Sequence, residues 1–342
     1  MMNIDIPYYE DLTRLSNSNI GWFLQKGPAY LHKMLTNPPP EEKNYVLERG
    51  TLIHMYILQP EEFRNTYVVW DKSRPTSAQQ EKFCQALAST LEIEPNRAIL
   101  SAYKEAYSIA GKSEDKMLSE GLKIASTMKD YIDFLKANDG RIMISLLDYK
   151  MLEKIKQNIY AHKLASLIVW PGNGTNDTYH EGVHFNTAKI DMYHEFHINW
   201  ELYGEMPIAC KSLLDGLTLD FKNKKAIIYD LKTTQKLWHF EDSMEQYDYL
   251  RQLAYYTMAV EWYLVKECGQ AAGDWTYEYY IIGIDTTGSS EIRVFKIEQD
   301  NVESRYGVIK NALTDIAWHQ ATDKWEHSRE YYEGDGSESL NL

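Results

Sequence analysis

The chain of 342 residues is 44% hydrophobic and 25% charged, ordinary globular composition with enough apolar mass for a large core. Its net charge of −14 argues against a protein that coats nucleic acid non-specifically, because such affinity comes from neutralising phosphates. It leaves room for DNA handling in a local basic channel or around a divalent cation.

The acidic, aromatic start MMNIDIPYYEDL lacks the basic and apolar regions of a signal peptide, and no apolar run is long enough to span a membrane. A cytoplasmic protein is expected. In residues 11–35, Ser16 or Ser18 reads as the N-cap of a helix beginning near Asn19. Gly27-Pro28 breaks that helix, and a second short one (AYLHKML) follows. A serine at a helix start can also hold a phosphate, so Ser18 is kept as an accessory candidate, with capping the simpler reading. After a proline-rich turn at residues 36–40, a helix is expected over 41–58 and is stopped by Pro60. Val46, Gly50, Ile53, His54, Ile57 and Leu58 share one side of it. By spacing alone His54 is a core histidine, with the small Gly50 one turn earlier permitting a close approach.

Residues 61–165 read as a mostly helical block, with Ser77 capping one of its helices. From there the pattern turns to strands. SLIVW (166–170) is one, followed by a loop, PGNGTNDTYHEG, whose Asn173 and Asn176 fall in glycosylation-type triplets. Residues 189–200 form a strand with Glu195 set among aromatics, 207–219 a strand containing Asp215, and 225–232 one ending in Asp230 and Lys232. A long helix is expected over about 241–268, carrying Gln252 and Tyr256 on one face. A closing hairpin turns at Thr287-Gly288, a helix covers 299–325, and the acidic tail 326–342 is expected to be disordered.

The chemistry concentrates in residues 211–256. Asp230 and Lys232 are two apart on a strand and so project to one face. For a lone D-x-K, a structural ion pair is a fair reading. But both acids lie in strongly apolar strands, where an unpaired charge is costly, and carboxylates placed against that cost usually have a ligand or a task. Lys211, four before Asp215, either faces the same cleft or lies on the surface.

Taken in order, the chain offers G-x-x-x-H on a helix, an acid on a strand, D-x-K on the next strand and Q-x-x-x-Y on a helix. In this it resembles the PD-(D/E)XK nuclease superfamily, and most closely the RecE (exonuclease VIII) group and related RecB-type domains. The matching stretches are LSNSNIGWFLQKGPAYL, ERGTLIHMYILQPEEF, ACKSLLDGL, IIYDLKTT and YLRQLAYYTMA, spread over residues 15–260. The resemblance implies an α/β fold with a restriction-endonuclease-like core: a central mixed sheet flanked by helices, with residues 61–165 as a helical insertion in one nuclease domain. It implies that His54, Asp215, Asp230 and the Leu231 carbonyl hold Mg²⁺ or Mn²⁺. Lys232 would orient or activate the attacking water, Gln252 and Tyr256 would position the site, and Glu195 would be an accessory acid. It implies exonucleolytic hydrolysis of linear double-stranded DNA ends in a bacterial or phage-infected cell, from 5′ to 3′. The 3′ strands would pass to a RecT-like annealing protein, and the enzyme would be a homo-oligomer. An iron–sulfur cluster is not expected, because Cys84, Cys210 and Cys268 are too few and too scattered.

Overall fold

The computed structural model describes residues 6–39, 45–137, 140–171, 177–180, 183–186 and 190–338. The start of the helix expected at residue 41, and Asn173 and Asn176, lie outside the described residues. The chain divides into two compact units, one of Met1–Pro60 with Met151–Leu342 and one of Glu61–Lys150.

The chain opens with α1 (Asn17–Thr36). Ser16 is its N-cap, joined to Asn19 in a reciprocal capping box, so Ser18 sits exposed in the first turn and not at the cap. Gly27, at φ 81°, kinks the helix just before Pro28. Helix α2 (Tyr45–Leu58) follows and ends at Leu58 as expected, and Pro60 then begins a new helix, α3 (Pro60–Thr66). That suits proline, whose missing N–H is no loss at a first position.

The second unit is largely helical. It contains β1 (Tyr67–Trp70), α4 (Ala78–Ser89), α5 (Pro95–Ala106), α6 (Glu114–Thr127), α7 (Lys129–Ala137) and β2 (Ile142–Ser145). Ser77 caps α4 as expected. Phe83, Cys84, Ile99, Tyr103, Met117 and Ile132 form its core. β1 and β2 pair in parallel, a ribbon the helical reading of this block did not include.

Two further helices follow, α8 (Leu146–Ala161) and α9 (Lys163–Val169). The run SLIVW is therefore helical through Val169, with Trp170 at the C-cap, where a strand is expected. A short apolar run has no period to separate the two states, and here His162 tips it to helix: its Nδ1 accepts the Ala165 N–H at the N-cap. Part of the expected loop is strand, β3 (Asp177–His180), paired antiparallel with β4 (Val183–Asn186).

The main sheet has five strands in the order β5 (Ile190–Leu202), β6 (Ile208–Asp220), β7 (Lys225–Thr234), β8 (Thr276–Asp285) and β9 (Ile292–Ile297). Only the β7–β8 pair is parallel, so the sheet is mixed. That pair requires a crossover, supplied by α10 (Phe240–Gln246) and α11 (Tyr249–Lys266). The single helix expected over 241–268 is thus broken. Asp248 takes a left-handed conformation (φ 47°), caps Arg251 N–H and binds the Arg251 and Arg305 side chains. Likewise the expected terminal helix is split into α12 (Gln299–Glu303) and α13 (Tyr306–Thr322). The acidic tail is ordered through α14 (Arg329–Glu333): Ser328 caps it, and Arg329 bonds Asp315 and Glu333.

Helices α1, α11 and α13 pack on the sheet around one core that includes Ile20, Leu31, Leu214, Leu217, Tyr255, Ala259, Ile281 and Ile316. The molecule is α/β, a five-stranded mixed sheet flanked by helices. Among the described residues, no helix is long and apolar enough to cross a membrane.

Candidate active site

The site forms where β6 and β7 part. Their ladder runs from Asp220↔Lys225 to Gly216↔Tyr229 and stops there, so Asp215 and Asp230 are the first residues beyond it. The gap is bridged by a side chain: the Leu231 N–H donates to Asp215 Oδ2 at 2.7 Å. Gly216 permits this parting at close quarters. A Cβ there would lie 1.9 Å from the Tyr229 ring, which is fully buried against it.

Across the sheet, the β5–β6 register pairs His194 with Gly216 and Phe196 with Leu214, which sets Glu195 opposite Asp215. Glu195 is the one position in that run outside the ladder, and it stands at φ 46°, a conformation non-glycine residues rarely adopt within a strand. Two acids facing each other repel. Both the strain and the repulsion are borne at this point of the sheet.

His54 arrives from α2. Ile53, Tyr56 and Ile57 fill the buried side of that helix, while the His54 side chain retains 24% exposure at its edge. Gly50 lets α2 come close to β7, since a Cβ there would touch Thr233 Oγ1 at 3.4 Å. His54 Nδ1 then stands 3.5 Å from Asp215 Oδ2 and 3.9 Å from Glu195 Oε1. One ligand atom from each of these three residues lies within 4.8 Å of the others, a spacing that one cation can share. The core reading of His54 therefore gives way to a place in the site.

Asp230 lies beside this group and is 1% exposed. Its Oδ1 accepts from Gln252 Nε2 at 3.0 Å, and its Oδ2 meets Lys232 Nζ at 2.6 Å, though in no well-aligned hydrogen bond. Gln252 Nε2 also donates to the Tyr256 hydroxyl at 2.7 Å, so the residues four apart on α11 act on Asp230 as a unit. Lys232 Nζ sits 4.9 Å above the ring of Tyr249, the first residue of α11.

The electrostatics follow from burial and crowding. Burial, then the charges of Asp215 and Asp230, push the Glu195 carboxyl up to about 8. Burial and the Asp215 charge push Asp230 up to about 6, against the pull of Lys232 and His54. Burial draws Lys232 down, but Asp230 and Asp215 outweigh it and hold the ammonium above its ordinary value. Three carboxylates are thus gathered around too little positive charge, and a divalent cation is what such a cluster lacks. The donor set fits: carboxylate oxygens with one imidazole, and an Asp230 oxygen without an aligned hydrogen bond.

No protein-family model matches the chain, and no curated protein matches its sequence. Its fold is similar to the crystal structure of a "Putative exonuclease" from Eubacterium rectale, with a TM-score of 0.48 and 13% identity over 100% of this chain and 96% of that one. So distant a likeness says nothing of the reaction, which has to come from the site's own chemistry.

Of the sequence candidates, His54, Asp215, Asp230, Lys232, Gln252 and Tyr256 lie in this one connected group, and Glu195 joins it as a direct neighbour of His54. Lys211 does not. It is buried, its ammonium accepted by the carbonyls of Tyr8 and Asp11 (2.5 Å to the latter), where it ties the N-terminal segment to β6. Ser18 is likewise outside the group, in α1. Tyr249 was not singled out by the sequence; its sign was its distance from Gln252, one turn earlier on the same helix.

Proposed function

We propose that the protein is a metal-dependent deoxyribonuclease that hydrolyses phosphodiester bonds at the ends of linear double-stranded DNA. The observation that carries this reading is the contact of a His54–Glu195–Asp215 ligand group with an Asp230–Lys232 pair through the Asp215–Leu231 hydrogen bond. Carboxylates alone would repel a phosphodiester. A cation-ready cluster with a lysine beside it is arranged to receive one.

Mg²⁺ or Mn²⁺, held by His54, Glu195 and Asp215 with Asp230 and the Leu231 carbonyl at hand, would supply positive charge and make water more acidic there. The protein's own groups do the rest. Lys232 is kept protonated by Asp230 and Asp215, so its part is to place fixed positive charge against the phosphate as negative charge builds in the in-line transition state. That favours a charge role over a base role. Gln252 fixes the Asp230 carboxylate, with Tyr256 bracing Gln252, and this holds Lys232 in turn. By its resemblance to RecE-type enzymes, the proposal extends to 5′ to 3′ polarity, 3′ single-stranded products for an annealing protein, and a homo-oligomeric enzyme.

The test compares linear with covalently closed circular duplex, with and without Mg²⁺ or Mn²⁺, beside Asp230→Ala and Lys232→Met. Expected are metal-dependent loss of linear DNA only and a fall of at least about 10²-fold in both variants, the scale of removing one electrostatic group from a transition state. End-labelling reads the polarity. Linear DNA that survives at every metal concentration removes the enzyme reading, and cutting of closed circles replaces an exonuclease with an endonuclease.

A further inference from the structure

Next to Lys232 is a cavity of about 280 Å³ to which the site above assigns no task. Arg49 from α2, Thr233 and Thr234 from the end of β7, Lys236, Tyr247 and Tyr249 are among its lining residues, and no Asp or Glu lines it. In a chain with 50 acidic residues against 36 lysines and arginines, a wall with two cations and no acid is locally positive against the net charge of the whole.

The cations are poorly committed. Arg49 donates to the Thr286 carbonyl at 3.1 Å and to the thioether of Met151, a weak acceptor. Lys236 is exposed, and among the described residues neither cation is in an ion pair. Threonine hydroxyls beside them complete a surface suited to a phosphate group. The aromatic part is equally specific. Tyr247 is 56% exposed, its ring nearly parallel to that of Tyr249 (20°, centroids 5.7 Å apart), and Tyr249 in turn lies under Lys232. Lys232, Tyr249 and Tyr247 thus form a continuous line from the catalytic pair to the cavity wall. An exposed ring in such a line offers a face on which a nucleobase stacks.

We propose that this cavity is a nucleotide subsite, in which Arg49 and Lys236 hold a phosphate and Tyr247 stacks its base. Its volume, just below the usual range of about 300–1,000 Å³ for ligand pockets, admits one nucleotide unit and not two. The occupant is a nucleoside monophosphate group, either the unit adjoining the scissile bond in a bound strand or the mononucleotide released from it. This inference rests on the nuclease reading for its place in a reaction, but its test is a binding measurement that does not need cleavage.

The experiment titrates deoxyadenosine monophosphate, inorganic phosphate and deoxyadenosine separately into the full chain by calorimetry. In parallel it follows a fluorescent oligonucleotide by anisotropy with the Asp230→Ala variant, in which cleavage is expected to be at least about 100-fold slower. Arg49→Gln and Tyr247→Ala are compared in both arms, with Leu91→Ala in the exposed segment 91–94 as a control. Tyr247 is exposed and its replacement leaves the core intact, so a folding failure at Arg49 does not remove the test.

The expected result is that the mononucleotide binds at least 10-fold tighter than phosphate or nucleoside alone, and that each variant weakens it at least 10-fold. If only the oligonucleotide responds to the variants, the subsite holds the strand and not the released product. Mononucleotide and oligonucleotide affinities that Arg49→Gln and Tyr247→Ala leave unchanged overturn the proposal. Nucleotide binding that depends on Arg49 and Tyr247 in a protein that never cuts DNA would sink the nuclease reading and leave the subsite standing. Metal-dependent cutting with both variants binding normally does the reverse.

Discussion

At the scale of single residues, the site is a set of acids that the fold holds against their preference. Glu195 and Asp230 have carboxyls raised to about 8 and about 6, above the values of about 4 that such groups have in an unfolded chain. A group that binds its proton more tightly in the folded state contributes stability in full below its unfolded value and loses it as pH rises through its folded value. The metal-free protein should therefore lose stability between about pH 4 and pH 8, with each group contributing a slope of up to about 1.4 kcal/mol per pH unit between its unfolded and folded values. Urea unfolding in EDTA at pH 5, 6, 7 and 8 measures this. Glu195→Gln removes the largest of the two shifts and should flatten the decline. The idea fails if that variant keeps the wild-type slope. The metal runs the other way: it must displace those protons, so its affinity should increase over the same interval.

At the scale of elements, the arrangement depends on how β6 and β7 separate, and Gly216 governs it. Gly216→Ala brings a methyl to within 1.9 Å of the Tyr229 ring, which has no room to retreat in the core. Overpacking of this kind costs about 1–3 kcal/mol. Because Asp215 and Asp230 are the immediate neighbours of Gly216 and Tyr229, activity should fall further than that loss of stability explains. Denaturant unfolding and kcat on linear DNA give the two numbers, and a variant with a normal kcat would show that the parting of the strands is not fixed here.

The same elements mark what the sequence could reveal. β6 and β7 were legible because each is an apolar run interrupted by a charge, and that conflict also pointed to Asp215, Asp230 and Lys232, whereas β5 was legible from its aromatic and β-branched residues. Helix α11 was legible from its period, but its start was not: α10 ends at Gln246, and Asp248 caps α11 by a left-handed turn that side-chain spacing does not encode. SLIVW went largely to helix because four apolar residues in a row fit either state. Lys211 failed as a site residue because its partners, the carbonyls of Tyr8 and Asp11, are about 200 positions away along the chain. Glu195 was seen only as an accessory acid, since its weight comes from a backbone conformation and a strand register.

At the scale of the whole molecule, the candidate ligands His54, Glu195 and Asp215 all belong to the unit of Met1–Pro60 and Met151–Leu342, none to Glu61–Lys150. Ligands stabilise only what they bind, by an amount set by concentration over Kd: about 2.7 kcal/mol at a hundredfold excess. His54 comes from α2 and the acids from β5 and β6, so binding ties together segments of this unit that are more than 130 residues apart. Amides of β5, β6 and β7 that exchange only when the unit opens should therefore slow by about 100-fold in saturating Mn²⁺, as hydrogen exchange followed by mass spectrometry would record. Amides in α4 to α7 should keep their metal-free rates, and Asp215→Asn should abolish the effect in the sheet. Protection shared equally by Glu61–Lys150 would mean that the two units open as one. Protection absent from β5 to β7 at every Mn²⁺ concentration would remove the metal centre, and with it the chemical reason for gathering three carboxylates where the two strands part.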